Sequence, residues 1–179
     1  MAMVEEGDFR PTAPRVAERA GVSVRSVFQH FDDLPSLYTA LSQRVAERMS
    51  TLVVPVDTGL PVDERVAAFV AHRAALLEAM TPFRRAAQVH GPFSPQVRDA
   101  VAVGAAFLRK YVSEAFAPEL SAGGGEPDAE LVAALAVAAS GPSWDALRAE
   151  VGAGPEAAGA AMARTLRALL ADAIRPART

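Results

Sequence analysis

Four residue pairs that end in proline divide the sequence: Thr81-Pro82, Ser94-Pro95, Gly141-Pro142 and Gly154-Pro155. In each pair a residue suited to capping precedes the proline. Proline is favoured at the first helical position, because its missing N–H would have no partner there. Helix-period sequence follows every pair. The pattern therefore predicts four helix starts.

Apolar residues between these breakers recur with a spacing near 3.6, which is the period of an α-helix. No segment alternates apolar and polar residues between hairpin turns, so strands are not expected. The linkers are predicted at 54–61 and at the glycine-rich segment 121–127. The chain is predicted to be all-α, with helices at 13–20, 24–30, 35–53, 62–79, 82–90, 95–117, 128–140, 142–150 and 155–174.

Composition limits the function classes. The 179 residues are 51% apolar and include no cysteine, so disulfides and thiolate chemistry are excluded. No run of eighteen apolar residues predicts a membrane span, and the first residues do not resemble a signal peptide. We therefore expect a cytoplasmic protein without membrane partners. The net charge of −3 argues against non-specific coating of nucleic acid, so any DNA contact must come from a small, shaped site.

Residues 12–31, TAPRVAERAGVSVRSVFQHF, are the most informative segment. Thr12 can cap a first short helix, and Gly21 can end it by adopting positive φ. Ser23 can then cap a second helix, while the small Ala17 lets the two helices cross closely. This layout is typical of a helix-turn-helix. We expect a small core of Val16, Ala20, Val22, Val27 and Phe31.

The same spacing also fits an αα-corner that binds nothing, and the residue types on the second helix decide between the two interpretations. Arg25 can donate two hydrogen bonds to guanine, and Gln29 can pair with adenine. Ser26 can bond a base or a phosphate, and Val24 can touch a thymine methyl group. We expect these four residues to read bases. Thr12, Ser23 and His30 flank them and are expected to contact phosphates.

The run AERAGVSVRSVFQHFDDLPSLYTAL resembles the DNA-binding signature of the tetracycline-repressor (TetR) family, and residues 12–41 carry the match. The later patterns TPFRRAA, FAPEL and SWDALRAEVG resemble those of many actinobacterial members. Two residues depart from the family: Phe28 replaces the usual tyrosine and Leu34 the usual lysine, and both family residues commonly touch phosphate. Val4-Glu5-Glu6-Gly7 is interpreted as the tail of a first helix that is mostly missing.

The resemblance implies that the later helices form a ligand pocket and a dimer interface. The pocket candidates are bulky or polar residues on apolar helices: Phe69, His72, Met80, Phe83, His90, Phe107, Tyr111 and Trp144. The interface is expected on helices 128–140 and 155–174, in a four-helix arrangement with a second copy. Its candidate residues are Leu131, Leu135, Met162, Leu166, Leu169 and Leu170.

The sequence thus predicts a DNA-binding domain over 1–50, which runs into a long connecting helix, and a ligand-binding and dimerisation domain over 51–179. The predicted function is a ligand-responsive repressor that binds a palindromic operator as a homodimer. Its predicted partners are double-stranded DNA, a small-molecule effector and itself. We expect no enzymatic activity, cofactor or metal, because no catalytic or metal motif is present. The alternative is a TetR-like binding or interaction module that has lost operator binding.

Overall fold

The computed structural model describes residues 1–9, 12–31, 34–51, 53–121 and 126–173, without the side chains of residues 34, 35, 37, 38, 48 and 173. These residues form helices and no strand, so the predicted all-α class is confirmed. The helices are α1 Ala2–Glu5, α2 Ala13–Ala20, α3 Val24–His30, α4 Leu34–Ser50, α5 Val62–His90, α6 Pro95–Ala115, α7 Ala117–Leu120, α8 Ala129–Ala138, α9 Gly141–Asp145 and α10 Pro155–Ala173. A 3₁₀ turn, Gly91–Phe93, precedes α6, and a π-helical segment, Ala146–Glu150, continues α9.

The chain divides into two compact units. The first unit joins Met1–Leu52 with Ala79–Val103, and the second joins Val53–Glu78 with Gly104–Thr179. The division of function between residues 1–50 and 51–179 stays a prediction.

The helix starts at two of the four proline pairs follow the prediction. Ser94 caps α6, and α10 begins at Pro155 directly after Gly154. At the third pair the cap lies one residue earlier than predicted. The Ser140 hydroxyl accepts a hydrogen bond from the Ser143 N–H at 3.3 Å, and Gly141 is already helical.

The predicted break at Thr81-Pro82 is wrong, because α5 continues through Pro82. Proline inside a helix costs about 3 kcal/mol or more, since it removes one hydrogen bond and crowds the preceding turn. Burial on both sides offsets this cost. Leu77 is buried in the core of the second unit, and Phe83 is buried with Val4 and Val45 in the first. Each such side chain contributes roughly 1.5–3 kcal/mol when it is fully buried.

The main core belongs to the second unit. Its largest fully buried side chains are Phe69, Phe116, Leu135, Trp144, Met162, Leu166 and Leu170. Helix α10 packs against α8 within this unit. Helices α5, α6, α8 and α10 supply most of the buried residues of this core.

A buried ion pair fixes the connector before α5. Arg65 and Glu119 are both buried, and the Arg65 Nη2 group donates a hydrogen bond to Glu119 Oε1. Arg65 Nη1 also donates to the Thr58 carbonyl at 3.2 Å. The Tyr111 hydroxyl donates to the Val54 carbonyl at 2.8 Å. Two side chains from the core of the second unit thus hold the backbone of residues 53–60.

Candidate functional site

Helices α2 and α3 pack together across a short turn. Gly21 ends α2 with φ of 68°, in the left-handed region that only glycine adopts without strain. The Val22 N–H donates to the Ala17 carbonyl at 3.0 Å and closes the turn. Ala17 is buried where the helices meet. The predicted roles of Gly21 and Ala17 in the turn agree with this geometry.

Ser23 caps α3 as the sequence predicts. Its hydroxyl accepts from the Ser26 N–H at 3.0 Å, and the hydroxyls of Ser23 and Ser26 lie 2.9 Å apart. Val27 faces inward and is buried with Ala13 and Ala17, with Val16 and Phe31 packed beside them. The expected core positions Ala20 and Val22 are wrong, because both side chains are exposed. The buried Ala13 takes part instead.

The side of α3 opposite Val27 is exposed. Because an α-helix turns about 100° per residue, Arg25 and Gln29 lie on the side opposite Val27. Both side chains are exposed, and Val24 is 40% exposed. Ser26 is half-buried at the edge of this surface and is bonded to Ser23. Three of the four predicted base-reading residues therefore have exposed side chains, and their contact with bases stays a prediction.

The predicted phosphate contacts Thr12, Ser23 and His30 are all exposed. Thr12 lies at the N-cap of α2 but its side chain makes no capping hydrogen bond. The His30 Nδ1 atom lies 2.9 Å from the Ser26 carbonyl, which can only accept. Nδ1 therefore carries the hydrogen, and Nε2 is the ring atom left for another partner.

Phe28 was not predicted as a site residue, yet its ring is 49% exposed on α3. The sequence contained a signal for this exposure, because Phe28 stands between Val27, which was expected in the core, and Gln29, which was expected to read bases. Leu34, the second departure from the family pattern, begins α4, and its side chain lies outside the described residues.

Two arginines of α2 are paired with acids that precede the helix. Arg15 Nη1 lies 2.9 Å from Asp8 Oδ2, and Arg19 Nη2 pairs with Glu6 Oε1. Both arginine side chains are more than half exposed, so these ion pairs contribute little to stability. Their effect is electrostatic, because the two acidic side chains offset the positive charge of the two arginines beside the turn between α2 and α3.

Four of the predicted pocket residues are aromatic side chains of the second unit: Phe69, Phe107, Tyr111 and Trp144. The ring centroids of Phe69 and Tyr111 lie 5.0 Å apart, and those of Phe107 and Tyr111 lie 6.4 Å apart. Phe107 is exposed, whereas Phe69, Tyr111 and Trp144 are buried. Burial raises the pKa of the Tyr111 phenol, and the Arg73 charge acts in the opposite direction. An aromatic row thus runs from the surface at Phe107 into the core.

The indole of Trp144 is hydrogen-bonded to Glu78, which is also paired with Arg148. The indole N–H donates to Glu78 Oε1 at 2.7 Å, and Arg148 Nε donates to the same oxygen at 2.9 Å. His72, also predicted to line the pocket, is half-buried. Within the described part of the chain its Nδ1 atom is buried without a hydrogen-bond partner.

The other three pocket candidates belong to the first unit. Met80 packs against the cluster that contains the buried Phe83, and His90 Nε2 lies 2.5 Å from the Phe9 carbonyl. The eight predicted pocket residues are therefore not one group. They divide between the two units.

Five of the six predicted interface residues pack inside the second unit, and their place in an interface stays a prediction. Leu131, Leu135, Met162, Leu166 and Leu170 are buried in the core of the second unit, so they have almost no surface left for a second copy. Only Leu169 keeps exposed area. It lines an open groove of about 510 Å³ on the outer sides of α8 and α10. The other lining residues are Glu130, Ala133, Ala134, Val137, Ala138 and Thr165.

No helix in the described part of the chain is long and apolar enough to cross a membrane. Among the described residues, no three His, Asp or Glu side chains are grouped so that they could hold a metal ion.

No protein-family model and no curated protein matches the chain. Among solved structures, the chain is similar to the crystal structure of a transcriptional regulator from Rhodococcus sp. Rha1. The TM-score is 0.72 and the sequence identity 21%, and the match covers 97% of this chain and 92% of the other. The two proteins share a fold.

Proposed function

We propose that this chain is a DNA-binding transcriptional regulator of the TetR type, a ligand-responsive repressor that binds a palindromic operator as a homodimer. One observation carries the proposal. A serine-capped helix buries Val27 against α2 and exposes Arg25 and Gln29 on its opposite side. The fold shared with the Rhodococcus regulator supports the same function, as does the resemblance of residues 12–41 to the family signature.

Arg25 and Gln29 are four residues apart, so both can reach base edges when α3 enters the major groove. Helix α3 carries no acidic residue, which favours an approach to phosphates. Thr12, Ser23 and His30 would then fix the helix on the backbone without reading sequence. In a dimer, two copies of α3 would enter successive major grooves about 34–36 Å apart, or somewhat more.

A binding titration tests this function. DNA from both sides of the protein's own gene is titrated at several salt concentrations, and the tightest fragment is then used with variants. Arg25→Ala is expected to weaken binding to that fragment by about 1–3 kcal/mol and to relax preference at one base pair of each half-site. Arg109→Ala is a matched control, because it also removes an exposed arginine but lies on α6. If Arg25→Ala keeps both affinity and preference, α3 does not read DNA in this way.

The groove on α8 and α10 supports a homodimer. Three of its seven lining residues are alanines, beside Glu130, Val137, Thr165 and Leu169, and small side chains let helices of a second copy approach closely. Apolar surface that leaves water stabilises the assembly by about 25 cal/mol per Å². A two-fold axis would bring the same groove of both copies together in a four-helix interface.

The aromatic row from Phe107 to Phe69 supports an effector site for small apolar or amphipathic molecules. The effector would favour dimers whose α3 helices are wrongly spaced for DNA and so release the operator. An anilinonaphthalene sulfonate dye, which fluoresces in apolar surroundings, tests this site. Phe107→Ser is expected to weaken dye binding, whereas Phe93→Ser, at another exposed phenylalanine, is not. Equal dye binding by both variants would count against the site.

The ion pairs of Arg15 and Arg19 favour a second candidate function. With both charges offset and no hydroxyl at Phe28, affinity for phosphate is reduced. A module that binds a ligand but no operator would keep the dye site in the same assays. It would bind no DNA fragment at any salt concentration.

A further inference from the structure

The exposed Phe28 ring lies beside the proposed reading surface. Phe28 follows Val27 by one residue and precedes Gln29, so it occupies one edge of the exposed side of α3. Val24 lies one turn before it on the same edge and is also exposed. Ser26 occupies the opposite edge, where its hydroxyl meets that of Ser23. One edge of the surface is thus apolar and the other is polar.

A phenyl ring that is half exposed to water neither donates nor accepts strong hydrogen bonds. Removing its apolar surface from water is favourable, so the ring is stabilised when a partner covers it. If Arg25 and Gln29 contact base edges, Phe28 and Val24 must lie against the neighbouring part of the same groove. The thymine C5 methyl is the apolar group that base edges present in the major groove.

We propose that Phe28, together with Val24, forms an apolar contact for the C5 methyl group of thymine beside the bases read by Arg25 and Gln29. Phe28 is then a specificity-determining residue, and the operator requires a thymine at this position of each half-site. The inference rests on the proposed function, because it needs α3 in the major groove.

Uracil substitution tests this contact without changing any base pair. Uracil keeps the hydrogen-bonding groups of thymine and lacks only the methyl group. The tightest DNA fragment is synthesised with each thymine replaced in turn. The wild-type protein is expected to lose about fourfold in affinity at one thymine of each half-site, which is the effect of one apolar carbon left unburied. Phe28→Ala keeps Val24 and is expected to lose most of this preference for the thymine form over the uracil form.

Two controls separate the possible outcomes. Phe28→Leu keeps an apolar side chain and is expected to keep part of the preference for thymine. Phe93→Ala removes an exposed ring outside α3 and is expected to keep all of it. If Phe28→Ala does not fold, the wild-type uracil series and Phe28→Leu decide the question.

The inference is wrong if no uracil substitution weakens the wild type, or if the preference for thymine is undiminished in Phe28→Ala. It is also wrong if Phe28→Ala weakens all sequences equally, because the ring then packs on the sugar-phosphate backbone. In each of these cases the Arg25→Ala effect can remain, and the proposed function stands. A wild-type protein that binds no DNA overturns both.

Discussion

A charge placed on the groove of α8 and α10 should separate the proposed dimer into monomers. Val137 lines this groove and is 65% exposed in the single chain. Val137→Glu therefore leaves the core of the monomer intact. Glutamate also has a higher helix propensity than valine, so α8 should not lose stability. The substitution acts on the interface alone.

The expected magnitude follows from symmetry. An interface carboxylate that loses its water and gains no partner costs at least about 2 kcal/mol. A two-fold interface contains the substituted residue twice, so the dimer should lose about 4 kcal/mol. A loss of 1.4 kcal/mol is tenfold, which makes the dissociation constant roughly a thousandfold larger. A dimer stable at nanomolar concentration would then dissociate in the micromolar range.

Sedimentation velocity over a range of concentrations measures this change. The wild type should sediment at twice the 18.7 kDa chain mass, and Val137→Glu at the chain mass. Val151→Glu is the matched control, because Val151 is 72% exposed but does not line the groove. A Val137→Glu protein that dimerises as tightly as Val151→Glu refutes this interface. A strictly monomeric wild type refutes the dimer itself.

Two further substitutions test the interactions that fix the fold and α3. Arg65→Met leaves the Glu119 carboxylate buried without its partner and should lower the free energy of unfolding by about 3–5 kcal/mol in a denaturant titration. Adding Glu119→Leu should restore much of that loss, and a double variant no more stable than the single one would contradict the reasoning. Ser23→Ala removes the cap on the Ser26 N–H and should cost about 1 kcal/mol, whereas Ser23→Asp keeps a capping oxygen. Ser23→Asp should therefore fold normally but bind every DNA sequence more weakly, and unchanged DNA affinity would exclude a phosphate near Ser23.

Capping and turn chemistry are local, and for this reason they were predictable from sequence. Ser94 and the Gly154-Pro155 pair mark helix starts where the structure has them. Gly21 and Ser23 locate the turn between α2 and α3 in the same way. In each case the backbone conformation depends on the residue itself and on partners only a few positions away in the sequence.

Interactions between distant segments were not predictable. Periodicity identified Leu135 and Leu166 as apolar positions, but it does not distinguish packing within a chain from packing between chains. The ion pair of Arg65 with Glu119 joins residues 54 positions apart and leaves no local pattern. The Ser26 hydroxyl, predicted to read a base, also has a local partner, since it lies 2.9 Å from the Ser23 hydroxyl.

Pro82 has a consequence for how α5 opens to solvent. It supplies no N–H to the carbonyl four residues before it, so the helix has one bond fewer in that turn. The helix contributes Leu77 to one hydrophobic cluster and Phe83 to another, on opposite sides of this turn. Local opening of α5 on one side of Pro82 can therefore stop at Pro82, before it reaches the hydrophobic cluster on the other side. Amide hydrogens on the two sides should exchange with solvent as two separate groups, each with the protection of its own cluster.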